Sequence, residues 1–176
     1  EKIKEVSLYM GFLHASQWDY KRAIPFFREY LSNTDLSEYQ RMIANVNLAA
    51  ALVHEHRPES ADLLSSLVSI AERKQYLRLL GNLHVLRAEW EILNKNLGPA
   101  YIELPHGLSL TENHESVDCL LLEKWLAICD LYAYPERRPV TLARLQELRI
   151  KTRRLSHWET LRDLDYHEAI ATKNVW

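Results

Sequence analysis

The histidines and their acidic neighbours are the residues in this chain whose types and spacing come nearest to chemistry. His54-Glu55-His56 has the composition of a metal or acid-base pair. On a helix, however, side chains two residues apart point about 200° apart, and a helical zinc pair needs the i, i+4 spacing of H-E-x-x-H. His106 and His114 lie near expected turns with Glu112 and Glu115, and Cys119 follows, but no C-x-x-C partner completes a zinc set. The chain has no G-x-x-x-x-G-K-[ST] phosphate loop, no G-x-G-x-x-G and no G-x-S-x-G elbow. Carboxylates are plentiful, yet nothing in their linear order brings two together. These residues predict a protein that is not an enzyme and holds no metal or cofactor.

A second chemical feature is charge. Residues 136 to 154 carry Arg137, Arg138, Arg144, Arg149, Lys151, Arg153 and Arg154 against Glu136 and Glu147, in a chain whose formal net charge is only -2. On a helix, Leu145, Leu148 and Leu155 form one stripe, flanked by Arg149 and Arg153 on one side and by Arg144, Lys151 and Arg154 on the other. Such a helix could meet phosphates or an acidic partner. The same pattern is that of a solvated helix with snorkelling arginines, and Glu159, Asp163, Asp165 and Glu168 are near enough in sequence to pair with it. Nucleic-acid contact by this domain alone is therefore not expected.

The elements that must position these residues are helices. With 176 residues, 47% hydrophobic and 26% charged, the chain is long enough for one domain with a core, and it has only 4 glycines and 6 prolines. No uncharged stretch approaches the roughly 20 residues that span a bilayer. Apolar spacing and stop signals predict nine helices. Pro25 should delay or kink the second, and Pro105 with Gly107 should interrupt the sixth. Ser37 with Gln40 reads as a capping box for the third helix, and Ser156 with Glu159 as one for the ninth. Trp158 and Tyr166 in the ninth helix are expected to pack onto the end of the stack. Cys119 and Cys129 lie ten residues apart in one helix, about 15 Å, too far for a disulfide. They fit a reduced, cytoplasmic compartment, and the start at Glu1 reads as that of a domain excised from a longer chain.

A repeat organises the helices. Small residues recur at Gly11, Ala49, Ala88 and Ala127 in alternate helices, and at Ala23, Ala61 and Ala100 in their partners, 38 or 39 residues apart. A missing or one-carbon side chain lets two helices approach at the short end of the usual 8–10 Å. The expected single domain, 1–176, comprises hairpins near 3–34, 37–73, 75–112 and 115–155 and a terminal helix at 156–172.

Gly11, Tyr20, Ala23, Phe27 and Leu31, echoed by Ala88, Ala100, Leu104, Gly107, Leu108 and Leu110, resemble the tetratricopeptide repeat family. Ser7 stands where that family has a tryptophan, and the period exceeds the family's usual value of about 34, so the likeness is to a helical-hairpin solenoid with longer helices. The resemblance implies an all-α, right-handed superhelix whose first helices line a concave groove. Transferred to this chain, the groove positions include Phe12, Asn47, Ala50, Asn82, Val85 and Glu89. The lysines and asparagines with which chaperone-binding members clamp a terminal carboxylate are lacking there. A mostly apolar groove with two asparagines fits an extended peptide or partner helix; otherwise these apolar residues face neighbouring helices. The expected function is thus a non-enzymatic protein-protein interaction scaffold, with a ligand-responsive domain of a larger, transcriptional type of regulator as the alternative.

Overall fold

The computed structural model describes residues 2–111 and 116–173, and among these residues the chain is all helix, without a strand. In order the helices are α1 (Lys2–Ser16), α2 (Tyr20–Leu31), α3 (Glu38–His54), α4 (Glu59–Lys74), α5 (Leu77–Leu93), α6 (Leu97–Thr111), α7 (Ser116–Ala133), α8 (Arg138–Arg154) and α9 (Trp158–Thr172), with a 3-10 turn at Pro135–Arg137 before α8. His114, Glu112 and Glu115 lie outside the described residues. None of the described helices is long and apolar enough to cross a membrane.

Local signals account for most of the boundaries. Asp19 caps α2 by accepting from the Arg22 amide at 3.2 Å, and Ser37 with Gln40 forms the expected box at α3. The box expected at α9 does not form. Ser156 is held in the left-handed conformation that ends α8, and His157 is the cap instead, its Nδ1 accepting from the Thr160 amide. Neither proline-bearing helix breaks. Pro25 and Pro105 both sit on exposed faces of continuous helices, where the carbonyl left without a partner can turn to water. Gly107 has a packing role in α6: a Cβ there would lie 2.8 Å from Leu122 Cδ2 and 3.0 Å from His84 Cβ.

The turns repeat as the small residues do. Trp18, His56 and Lys95, in the α1–α2, α3–α4 and α5–α6 turns, all have positive φ, between 51° and 62°. In each turn the next amide reaches back five residues to a helix carbonyl: Asp19 to His14, Arg57 to Leu52 and Asn96 to Glu91, at 2.8 to 2.9 Å. This is the Schellman way of satisfying the last carbonyls of a helix. It normally takes glycine, because a left-handed residue with a Cβ costs about 1–2 kcal/mol.

Each helix packs on its chain neighbours, and α3 on α5, α5 on α7 and α7 on α9 form a second row of contacts. The core is correspondingly segmented. One apolar cluster joins α2 and α3 around Phe27 and Leu52, with Phe12 of α1 packed against it, and the next joins α3, α4 and α5 around Val53, Leu64 and Leu83. A third joins α5, α6 and α7 around Ile92, Leu104 and Ile128, and the last joins α7, α8 and α9 around Leu131, Leu145 and Leu164. Gly11, Ala49, Ala88 and Ala127 are all buried. At Gly11 the reason is explicit: a Cβ would lie 2.5 Å from Cε1 of fully buried Phe27. Cys129 is buried and Cys119 half-buried, and they are not joined to each other.

Candidate functional site

Between the apolar clusters, ionisable groups fill part of the space between helices, at His84, Arg87 and Glu103 of α5 and α6 and, more extensively, beside an open cavity. On the row formed by α3, α5, α7 and α9, a cavity of about 390 Å³ opens. Helix α3 ends on it with His54, followed by Glu55 and His56, while α5 contributes Glu89 and Leu93 and α7 contributes Trp125. Helix α9 supplies Arg162, Asp163, Tyr166 and His167, and Trp18 of the α1–α2 turn with Tyr20 at the start of α2 closes it. A smaller space of about 260 Å³ continues from it past His56, Leu93, Tyr166 and His167 to Lys95 and Tyr132.

The closing contacts are long-range. Tyr20 Oη donates to Glu159 Oε1 at 3.3 Å across 139 residues of chain. The Arg162 guanidinium lies 3.8 Å from the centre of the Trp18 ring, a cation-π distance. The left-handed turns therefore serve the site, since Trp18 and His56 are both turn residues and both line the cavity.

Behind the wall is a buried charge network. Lys124, only 3% exposed, donates from Nζ to Asp163 Oδ2 at 2.7 Å and lies 4.4 Å from the centre of the Trp125 ring. Arg162 donates to the other oxygen of Asp163 from Nε and Nη2, at 3.2 and 2.9 Å. Burial alone would raise the Asp163 pKa, but Lys124 and Arg162 together hold it below its usual value.

Glu89 is in the opposite position. It is 3% exposed, and among the described residues no lysine or arginine nitrogen lies within 4.0 Å of it; its neighbour is His54, whose Nδ1 is 3.1 Å from Oε1. Burial pushes the Glu89 carboxyl up to about 8, with Lys124 opposing and Asp163 and Glu159 assisting. Burial pushes His54 down to about 4. Burial thus favours the neutral form of both groups, the carboxyl and the imidazole alike. His54 also stacks on Tyr20, with centroids 4.1 Å apart, and its Nε2 lies 4.0 Å from Glu159. His167 is likewise pushed down to about 4 by burial, and its Nδ1 is 2.6 Å from Tyr132 Oη.

Comparison of the chain with protein-family models, curated proteins and solved structures found no match.

Of the groove residues taken from the sequence, only Glu89 lines this cavity. Phe12 meets Phe27 edge-on with centroids 5.7 Å apart, Ala50 packs on the α3–α5 cluster, and Val85 is buried in the α5–α7 cluster. Asn47 is half-buried and donates to its own helix at the Ile43 carbonyl; Asn82 is half-buried on α5. His54 and His56, divergent on an ideal helix, meet at the cavity because the helix ends at His54 and His56 takes the left-handed conformation. Among the described residues no group of three or more histidine, cysteine or carboxylate side chains is arranged to hold a metal ion.

The basic helix is largely compensated from within. Arg144 reaches Asp130 at 2.9 Å and Lys151 reaches Glu123 at 2.6 Å, while Arg149, 8% exposed, donates to both Asp165 and Glu168. Arg153 and Arg154 are exposed. Trp158 and Tyr166 do not pack inward: they are 65% and 59% exposed, and Tyr166 stands at the rim of the cavity.

The sequence reading missed Lys124, Trp125 and His167, and it offered Asp163 to the basic helix, whereas Asp163 pairs with Lys124 and Arg162. The available signals were a lysine, next to Glu123, inside the mostly apolar run of α7 from Leu120 to Cys129, which must find a partner if buried, and the i, i+4 pair Asp163 and His167 on one face of α9.

Proposed function

We propose that this chain is a non-enzymatic recognition module of right-handed, tetratricopeptide-like build, acting in the cytoplasm, and that it holds a segment of a partner protein at the cavity on its inner helix row. The observation that carries the reading is the cavity itself. Its volume lies in the range of ligand sites, its walls are aromatic, and its polar groups come from α3, α5, α7, α9 and the first turn. The period of 38 to 39 shared by the small residues and the left-handed turns supports the repeat build. The pocket narrows the expected groove to an anchor point: room for one or two side chains of a peptide, with the remainder of the ligand running outward past Tyr166.

A second reading is a ligand-responsive regulatory domain, favoured by the contacts of Tyr20 with Glu159 and Trp18 with Arg162. Those contacts make the wall of the cavity out of both ends of the chain, so an occupant would be felt at both.

A thermal-shift screen of peptides and metabolites tests both readings against wild type and Leu93→Trp, whose ring would fill the cavity. Hits should disappear in Leu93→Trp while its helical circular dichroism is retained. Hits that survive Leu93→Trp and vanish in Arg153→Glu/Arg154→Glu would move recognition to the outer face and overturn the proposal. Hits confined to metabolites would decide for the regulatory reading.

A further inference from the structure

Four carboxyl groups surround the cavity: Glu55, Glu89 and Asp163 line it, and Glu159 touches it through Tyr20. Two cations belong to the same region, and both are used in the same way. Lys124 lies between the Trp125 ring and one oxygen of Asp163, and Arg162 between the Trp18 ring and the other. A cation between a carboxylate and an aromatic face is thus the motif of this site, made twice on Asp163. Glu89 is the deeply buried carboxyl that lacks one; Glu55 and Glu159, also without a lysine or arginine within 4.0 Å among the described residues, are only half-buried. It is as deeply buried as Lys124, it borders the open space, and Tyr166 at the rim leaves ring surface uncovered. The basic nitrogen that lies within 4.0 Å of it among the described residues is that of His54, whose burial disfavours the charged imidazolium.

Resting on the recognition reading above, we infer that the cavity binds an organic ammonium ion, with Glu89 as its counter-ion and the aromatic rim as its π-face. The ammonium comes either from a lysine side chain of a partner peptide or from a free arylalkylamine, and both present the same group to Glu89. An anionic ligand would face an excess of carboxyl groups, and an uncharged one would leave Glu89 as it is. A cation changes Glu89: its carboxyl proton leaves to solvent as the ammonium arrives. The other groups facing Glu89 are Lys124 on α7, Asp163, Glu159 and Arg162 on α9, His54 on α3 and Tyr20 at the start of α2; Asp163 is held below its usual value, Arg162 and Tyr20 above theirs and His54 down at about 4, so none of these four changes charge between pH 6 and 8. Only the ionised fraction of Glu89 is competent, so apparent affinity scales with that fraction. From pH 6 to pH 8 that fraction grows about 50-fold for a group titrating near 8.

Isothermal titration of the full chain with phenethylamine, 2-phenylethanol and 3-phenylpropionate at pH 6, 7 and 8 tests this, with an end-blocked peptide containing one lysine, and its norleucine counterpart, as a second arm. The expected result is binding of phenethylamine or of the lysine peptide, about 50-fold tighter at pH 8 than at pH 6, with release of up to one proton per ligand at pH 7. Glu89→Gln, isosteric and checked by thermal melting, should abolish it. Which of the two arms binds identifies the source of the ammonium. If the alcohol or the propionate binds as well as the amine, or if Glu89→Gln binds the amine unchanged, the ammonium assignment is overturned while the cavity stands as a site. If none of the probes binds in either arm, the cavity reading falls with it.

Discussion

Replacing Glu89 by glutamine should make the protein relatively more stable as pH rises, and the size of the effect follows from one buried carboxyl. In the folded chain Glu89 titrates near 8, against an ordinary value of 4.5 in the unfolded chain. Below 4.5 both states hold the proton and pH has no effect through this group. Between 4.5 and 8 the unfolded state releases a proton that the folded state keeps, so stability falls by about 1.4 kcal/mol per pH unit. Above 8 both are ionised and the loss is complete. Between pH 6 and pH 8 the change comes to about 2 kcal/mol, allowing for rounding of the titration near 8. Glutamine cannot ionise and escapes this loss. His54 and His167 act in the opposite sense: held near 4 in the fold against 6.5 unfolded, they weaken the protein as pH falls below 6.5. The His167 contribution cancels when variant and wild type are compared at the same pH, and so does that of His54 as long as its imidazole stays neutral beside either side chain. Urea denaturation of both proteins at pH 6 and pH 8 gives the double difference directly. The variant should gain about 2 kcal/mol on wild type over that interval, or roughly 5 °C in melting temperature for a chain of this length. A difference that does not move with pH would show that Glu89 is ionised in the fold, and the reasoning about the cavity's missing cation would go with it.

Three further outcomes follow from packing and pairing. Gly11→Ala should destabilise by about 1–3 kcal/mol through overpacking against Phe27, seen as a lower calorimetric transition; an unchanged transition would mean that α1 and α2 can separate freely. Gln75→Gly should stabilise by about 1 kcal/mol, because residue 75 is left-handed with φ 56° in the α4–α5 turn, and chemical denaturation should show a higher midpoint. Arg149→Ala should cost about 1–2 kcal/mol, chiefly through half-buried Glu168, since Asp165 is 61% exposed and returns to water, whereas Arg153→Ala and Arg154→Ala, on exposed side chains, should each stay within about 0.5 kcal/mol. Equal effects at all three would deny that the basic helix is compensated from within.

The helical class and most helix positions were legible in the chain because apolar spacing and caps are local signals. Ser37 with Gln40 needed only a window of four residues. Proline and glycine misled where their cost is conditional: Pro25 and Pro105 lie on exposed faces, and Gly107 answers to Leu122 and His84, which no local window contains. The cavity was hidden for a related reason. Glu89 was picked out as a groove position, but its significance depends on Lys124 and Arg162 both being committed to Asp163, a fact of three helices. His56 could reach the site only through a left-handed turn that its residue type does not announce. Phe12, Ala50 and Val85 were visible as apolar positions, and periodicity alone does not separate an open groove from a helix contact.

The bond between Tyr20 and Glu159 bears on how the molecule comes apart. In a chain whose helices pack on their sequence neighbours, stability is close to a sum of local terms, and either end can fray without the other. A contact between the first turn and the last helix ties those ends into a ring. Opening α9 then frees the Trp18 ring and the Tyr20 hydroxyl as well, so loosening α9 should speed amide exchange in the α1–α2 turn, although the two lie at opposite ends of the sequence.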